Sequence, residues 1–253
     1  MAKIVVFDSG FGSLSIIKPI QKKFKADIIY FADQKNFPYG TKSTTELKRI
    51  IESTIVLLKK QFDPDLIIVG SNTPSLLLRK ILRKSKIIGV FPPLKEAVKN
   101  TKSNSIAILA TKSVVKNNTV ENYIKKNVPK RIKVIKINAS PLVELVESGK
   151  FIHDKKLCKR KIRSILLEPF SKNNIDVATL SSTHLPFLLP LLKQLFPYVM
   201  FLDPAGSVSD QIVKLLNRKK SKTNTIKIFT SGNVRIFQKQ LRKMGIKNKA
   251  MSL

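Results

Sequence analysis

The sequence predicts an α/β protein of two pseudo-symmetric domains, each a parallel-type sheet flanked by helices, with the active site in the cleft between them. Three observations predict it. Short apolar runs rich in Ile and Val alternate with amphipathic stretches along the chain, the pattern of parallel strands joined by helices. Two of these units echo each other: residues 66–78 (LIIVGSNTPSLLL) and 177–189 (VATLSSTHLPFLL) each run from an apolar segment through a small polar cluster to proline and leucines. The clusters, Ser71-Asn72-Thr73 and Ser182-Thr183-His184, fall where a strand ends and a helix begins. Open α/β sheets place ligands there, because unpaired N–H groups at a helix start attract carboxylate or phosphate.

Residues 3–8 (KIVVFD) predict a buried strand ending in Asp8, residues 9–13 (SGFGS) a turn, and 14–24 a helix. An aspartate delivered by a strand end before a glycine turn is a common catalytic placement. GFGSLS lacks the third glycine of a dinucleotide fingerprint, and no acidic ribose partner is clearly placed, which excludes a nicotinamide site. Residues 27–32 predict a second strand, followed by a loop with Pro38-Tyr39-Gly40, turn-forming by composition. Then come an amphipathic helix at 44–61, the first echoing strand, its helix at 75–83 and a strand at 86–90. Phe91-Pro92-Pro93 breaks the regularity, which sets the first domain at residues 1–93.

The second domain, residues 94–203, restarts the pattern. Strands are expected at 105–110, 132–137, 177 onward and 198–202. Helices are expected at 115–127, 140–148 and 154–172, with a loop at 111–113 and Gly149 as a helix cap. Residues 204–253 return to the first domain with a helix at 207–217, a strand at 225–230 and a helix at 234–244. The closing NKAMSL carries no readable pattern.

An apolar fraction of 43% is ordinary for a globular protein. No run approaches the roughly 18–20 apolar residues of a membrane span. MAKIVVFDSG enters a strand with no secretory segment, so a cytoplasmic protein without membrane partners is expected. The single Cys158 excludes a disulfide framework and a cysteine-rich zinc site. Its KKLCKRK setting could favour a thiolate, though an incidental helix residue is the simpler reading. The net charge of +32 raises nucleic acid as a partner. The lysines, however, are spread over nearly every predicted helix and turn, and no nucleic-acid motif accompanies them. Abundant Lys, Ile and Asn with nine glycines and no tryptophan point as much to AT-rich codon drift. The expectation is nonspecific affinity for polyanions and easier capture of an acidic substrate, with no specific nucleic acid.

Ser, Thr and Asn are also ordinary helix caps, the plainer reading of either polar cluster alone; their recurrence in two similar units favours function. In chain order, IVVFDSGFGSLSI, FADQKNFPYG, the SNT cluster, IIGVFPPLKEAV, IAILATKSVVKNN, LVELVESGK and SSTHLPFLLPLL resemble the glutamate racemase family, within the cofactor-independent aspartate/glutamate racemases. The likeness covers almost the whole chain. It implies interconversion of L- and D-glutamate without cofactor or metal. It also implies supply of D-glutamate to peptidoglycan, and hence to cell-wall biogenesis and cell shape, by a protein whose relatives often pair as homodimers. In that family one thiol from each domain faces each side of the α-carbon, because inversion requires proton removal and delivery on different faces.

The positions matching those thiols are Ser71 and Ser182; Cys158 matches neither. Asp8 matches the family's aspartate at the first thiol, and Glu147 and His184 match groups beside the second. Asp8, Ser9, Tyr39, Gly40, Asn72, Thr73, Thr183 and His184 match positions that hold the amino acid, and Thr111 is a further candidate in the second domain. Leu185 stands where an aromatic residue is usual. A hydroxyl is a far weaker acid than a thiol, and each rise of about 1.4 kcal/mol in a barrier costs tenfold in rate. A two-serine site is therefore expected to be slow unless Asp8, and His184 with Glu147, take up the hydroxyl protons, as bases do for nucleophilic hydroxyls. His184 and Asp8 are themselves candidate bases. The first reading is a racemase working through serines. The alternative is a racemase-fold protein that binds an acidic amino acid with little or no turnover. A nucleic-acid partner rests on charge alone.

Overall fold

The computed structural model describes residues 2–79, 82, 86–216 and 222–253, and the chain forms two compact units, Met1–Val90 with Ala205–Leu253, and Phe91–Pro204. Unit 1 begins with β1 (Lys3–Asp8), α1 (Leu14–Lys23), β2 (Asp27–Ala32), α2 (Thr44–Phe62), β3 (Leu66–Val69), α3 (Asn72–Leu77) and β4 (Ile87–Gly89). Unit 2 runs through α4 (Leu94–Asn100), β5 (Ser105–Ala110), α5 (Lys112–Lys116), α6 (Asn118–Asn127), β6 (Lys133–Asn138), α7 (Ser140–Glu147), α8 (Lys150–His153), α9 (Lys155–Lys172), β7 (Val177–Ser181), α10 (Leu189–Leu195) and β8 (Met200–Leu202). The chain then completes unit 1 with α11 (Ala205–Leu216), β9 (Thr225–Thr230), α12 (Val234–Lys243) and β10 (Ala250–Ser252).

Both sheets are parallel throughout. Unit 1 has the order β10-β9-β2-β1-β3-β4 and unit 2 the order β6-β5-β7-β8. The kernel β2-β1-β3-β4 is thus repeated as β6-β5-β7-β8, which makes the echoing strands β3 and β7 topological equivalents. In each kernel the winding reverses beside the first strand, between β1 and β3 and between β5 and β7. Such switch points are where α/β sheets open a crevice.

The cores follow from the strand composition. β3, β5 and β7 are buried along their whole length, as parallel strands covered on both faces require. On one face of unit 1, Val5, Phe7, Ile29, Phe31, Ile67 and Val69 pack with Leu47, Ile51, Ile55 and Leu58 of α2, a stripe at helical spacing. In unit 2, Ala107, Leu109, Ala178 and Leu180 meet Leu142, Leu145 and Val146 of α7 and Cys158, Ile162, Leu166 and Phe170 of α9. Cys158 therefore belongs to a four-residue-spaced core stripe.

Several boundaries differ from those expected. The helix predicted at 75–83 begins at Asn72 and ends at Leu77; residues 80–81 and 83–85 lie outside the described residues. Pro74 occupies the third helical position, where its missing N–H is not needed, so the polar cluster itself forms the first turn. The loop and helix expected over 111–127 are two helices, broken at Asn117, whose side chain caps the second by accepting from Thr119 N at 2.8 Å. The leucine run after Ser182 opens as a 3-10 turn, Leu185–Leu188, before α10. Strand β8 is shorter than the expected 198–202. The helix predicted at 207–217 begins at Ala205, and Asn217 falls outside the described residues. Gly149 takes φ 74°, the left-handed cap expected of it. The unreadable terminus supplies β10, paired with β9 through Ala250↔Ile228.

Asp176, just before β7, ties the α4–β5 connection to the sheet. It accepts from Thr101 Oγ1 at 2.7 Å, Lys102 N at 2.6 Å and Ser103 N at 2.9 Å. Burial pushes its carboxyl up, but these donors outweigh burial and hold it below its ordinary value. A depressed carboxyl stabilises the fold above the unfolded pKa of about 3.9, and that contribution is lost as pH falls through the folded value. Asp176→Ala is expected to lower the unfolding free energy by about 2–3 kcal/mol in urea titrations at pH 7. The gap to the native chain should close as pH falls below about 4; a gap unchanged with pH contradicts this account.

Candidate active site

In unit 1, β1 pairs with β3 through Phe7↔Val69, and Gly70 N donates to Phe7 O at 2.7 Å. Asp8 and Ser71 therefore leave neighbouring strand ends at the switch point. Gly70 has to be glycine here, since an added Cβ would lie 2.4 Å from Ser13 Cβ. Asp8 is 1% exposed and accepts from Ser9 N at 2.7 Å and Ser13 N at 3.2 Å, so the turn fixes its carboxylate. Tyr30 Oη braces that turn by donating to Gly10 O at 2.6 Å.

The loop after β2 folds back onto the same point. Tyr39 N donates to Ser9 Oγ at 3.4 Å, and Tyr39 Oη donates to Asp33 Oδ2 at 2.9 Å. Gly40 lies beside it in the 3-10 turn Tyr39–Thr41. Burial, with the Asp33 charge behind it, raises the Tyr39 hydroxyl well above its usual value, keeping it a protonated donor. Asp33 is a buried carboxylate that sequence reasoning did not single out. It also accepts from Asn36 Nδ2, Thr54 Oγ1 and Ser231 Oγ, and its own N–H donates to Asp8 O at 2.7 Å. Its signal was available: like Asp8, it stands at the carboxyl end of a strand.

Ser71 occupies the cap position of α3, yet its side chain makes no capping bond, so the plain helix-cap reading does not account for it. Ser75, also unremarked in the sequence, pins this helix start: its Oγ donates to Ser71 O at 2.7 Å and accepts from Val90 N at 2.9 Å. Asn72 is 3% exposed and donates through Nδ2 to Val90 O at 3.1 Å. Its Oδ1 is buried without a hydrogen-bond partner among the described residues. An orphaned buried acceptor costs about 1–3 kcal/mol, which suits a side chain waiting for a ligand donor. Thr73 beside it is buried.

In unit 2, Ala110 pairs with Ser181, and Thr111 and Ser182 follow those strand ends. Ser182, Thr183 and His184 are buried, and Thr111 is half-buried, its Oγ1 3.2 Å from Ser113 Oγ. Ser182 Oγ lies 3.3 Å from His184 Nδ1, and His184 Nε2 lies 2.5 Å from Oε1 of Glu147, the last residue of α7. With Nε2–H donated to Glu147, Nδ1 carries the lone pair that faces the serine hydroxyl. Hydroxyl, imidazole and carboxylate thus form one proton path. Leu185 is buried in the unit 2 core.

Cys158 takes no part. It is fully buried, and burial first, then the Asp154 charge, raises its thiol pKa against the opposing effect of Lys150. The basic neighbours do not favour a thiolate, because the sulfur faces the core. Those neighbours do something else: Lys156, Lys159, Arg160 and Arg163 of α9, with Gln194 and Leu195 of α10, line a groove of about 480 Å³ that includes no residue of either polar cluster. Among the described residues no group of three or more His, Cys, Asp or Glu is placed to hold a metal ion, and no helix is long and apolar enough to cross a membrane.

No family model matches the chain. It is 31% identical over 255 residues to a glutamate racemase of Bartonella quintana, covering 95% of this chain and 93% of that one. It is 32% identical over 239 residues to a glutamate racemase of Buchnera aphidicola, covering 88% of each. Among solved structures it superposes on the glutamate racemase isoform RacE1 of Bacillus anthracis with a TM-score of 0.86 and 25% identity, over 100% of this chain and 97% of that one.

With Cys158 buried and serines at both switch points, thiol chemistry has no place in the site. Iodoacetamide or a disulfide reagent at pH 8 is expected to leave Cys158 unlabelled in the folded chain and label it fully in denaturant. Rapid labelling of the native protein, read by intact mass, would contradict its place in the core.

Proposed function

This chain belongs to the glutamate racemase family, and from that premise we propose that it interconverts L- and D-glutamate with Ser71 and Ser182 as the groups that take and return the α-proton. The observation that carries the proposal is the hydrogen-bonded path from Ser182 Oγ through His184 to Glu147, because it supplies what a hydroxyl lacks. As Ser182 Oγ accepts the α-proton, its own proton passes to Nδ1, and the imidazolium is held by Glu147. In the opposite sense the path returns a proton to the hydroxyl. Ser71 serves the other face, with Asp8 as its base.

The binding roles follow from chemistry. The orphaned Asn72 Oδ1 accepts from the substrate ammonium, and Asp8 offers it a counter-charge. Ser9, Thr73, Thr111, Thr183, the backbone N–H of His184 and the Tyr39-Gly40 turn hold the carboxylates, and the net charge of +32 draws a dianion toward the protein. The reaction calls for no cofactor. Its product feeds peptidoglycan synthesis, and family membership supports action in the cytoplasm and pairing as a homodimer.

Circular dichroism of the purified protein with L-glutamate is expected to decay toward zero over hours. Ser71→Ala and Ser182→Ala should each abolish the decay, and His184→Asn should slow it about 100-fold or more. Converting both serines to cysteine should raise the native rate by at least about tenfold. A flat native trace, with turnover appearing only in the double-cysteine chain, would make this protein an acidic amino-acid binder instead.

A further inference from the structure

A serine hydroxyl becomes reactive beside a general base, and Ser182 has one. Its Oγ is 3.3 Å from His184 Nδ1, and His184 Nε2 is 2.5 Å from Glu147 Oε1. Ser182 and His184 are 5% and 6% exposed, and the Glu147 side chain is 14% exposed. A hydroxyl, an imidazole and a carboxylate linked in that order form the arrangement by which hydrolases convert an inert serine into a nucleophile, recognised by roles and geometry and not by spacing along the chain. Glu147 holds the imidazole in the tautomer whose free lone pair faces the serine. Burial strengthens both hydrogen bonds relative to water.

We propose that Ser182 is an activated nucleophile that accepts acyl groups from small carboxylic esters and thioesters, an activity separate from racemisation. Ser182 Oγ attacks the carbonyl carbon while its proton passes to His184 Nδ1. The carbon–alkoxide or carbon–thiolate bond breaks, and the leaving group takes that proton. Water then attacks the acyl-serine and gives a proton to His184; the acyl–Oγ bond breaks, Ser182 Oγ takes that proton back and the carboxylic acid leaves, so the net reaction is ester or thioester plus water to acid plus alcohol or thiol. Ser182 and His184 are the reacting groups; Glu147 is a positioning residue. The inference rests on the unit 2 cluster alone, whether or not glutamate is racemised.

The test uses an alkyl fluorophosphonate, in which Ser182 Oγ displaces fluoride from phosphorus. Activated acetate esters would also acylate lysines, abundant in a chain with 48 lysines and arginines. The full-length protein is incubated with the reagent and read by intact mass and peptide mapping. The expected result is one adduct, on Ser182, absent from a Ser182→Ala chain whose thermal melt matches the native one. His184→Asn should label at least about 100-fold more slowly. Glu147→Gln should also label slowly, with Glu147→Asp recovering part of the rate, which a merely structural role would not produce. No adduct on the native chain, an equal adduct on Ser182→Ala, or undiminished labelling of His184→Asn overturns the proposal. A chain labelled at Ser182 that leaves L-glutamate unchanged keeps this inference and loses the racemase reading; one that racemises glutamate and takes no phosphonate does the reverse.

Discussion

Parallel pairing of β1 with both β2 and β3 leaves the chain no choice about where to put its polar residues. Right-handed crossovers send the connections on either side of β1 to opposite faces of the sheet, so the carboxyl ends of β1 and β3 are left facing a gap that no helix fills. The same constraint acts on β5 and β7. Asp8 and Ser71 emerge at one such gap, Thr111 and Ser182 at the other. Everything else in each unit serves to hold those ends in place. Leu47, Ile51, Ile55 and Leu58 press α2 onto one face of the first sheet; the stripe from Cys158 to Phe170 does the equivalent for the second.

Replacing a thiol by a hydroxyl moves the chemical burden from the acid–base atom to its neighbours. A cysteine is only about 1.5 pKa units from ionising at neutral pH, whereas a serine must lose its proton in concert with gaining another. That demand explains why the His184–Glu147 contact matters in the proposed reaction: an imidazole oriented by a carboxylate is the base best matched to neutral pH. Asp8 works under a different constraint, its two oxygens engaged by backbone N–H groups of Ser9 and Ser13. In the proposed reaction the two sides are thus unequal in their proton relays, although the sheets that carry them are topological repeats.

The sequence made the repeat legible because strands buried on both faces leave uninterrupted apolar runs, and because a strand's end is marked by its first polar residue. β1, β2, β5 and β9 were placed residue for residue on that basis. β10 was not, since only Ala250 of its three residues is buried and one buried residue leaves no period. The start of α3 was set too late because the helix was begun after Pro74, which is in fact its third residue. In the site, the Ser182–His184 pair was readable from local spacing, and Glu147 only through family likeness, since 37 residues separate it from His184. Ser75 was missed for the same reason, since what marks it is its bond to Val90, distant in sequence; Asp33 was passed over although its place at a strand's carboxyl end marked it.

The central claim is that two separate groups, one in each unit, take and return the α-proton. Racemisation in deuterium oxide, with both enantiomers isolated early in the reaction and analysed by mass spectrometry, tests it most directly. Two groups predict that newly formed D-glutamate carries deuterium at the α-carbon while the remaining L-glutamate keeps its hydrogen, and the converse from D-glutamate. Deuterium appearing equally in substrate and product would show one group serving both faces, and would contradict the assignment of Ser71 and Ser182 to opposite sides.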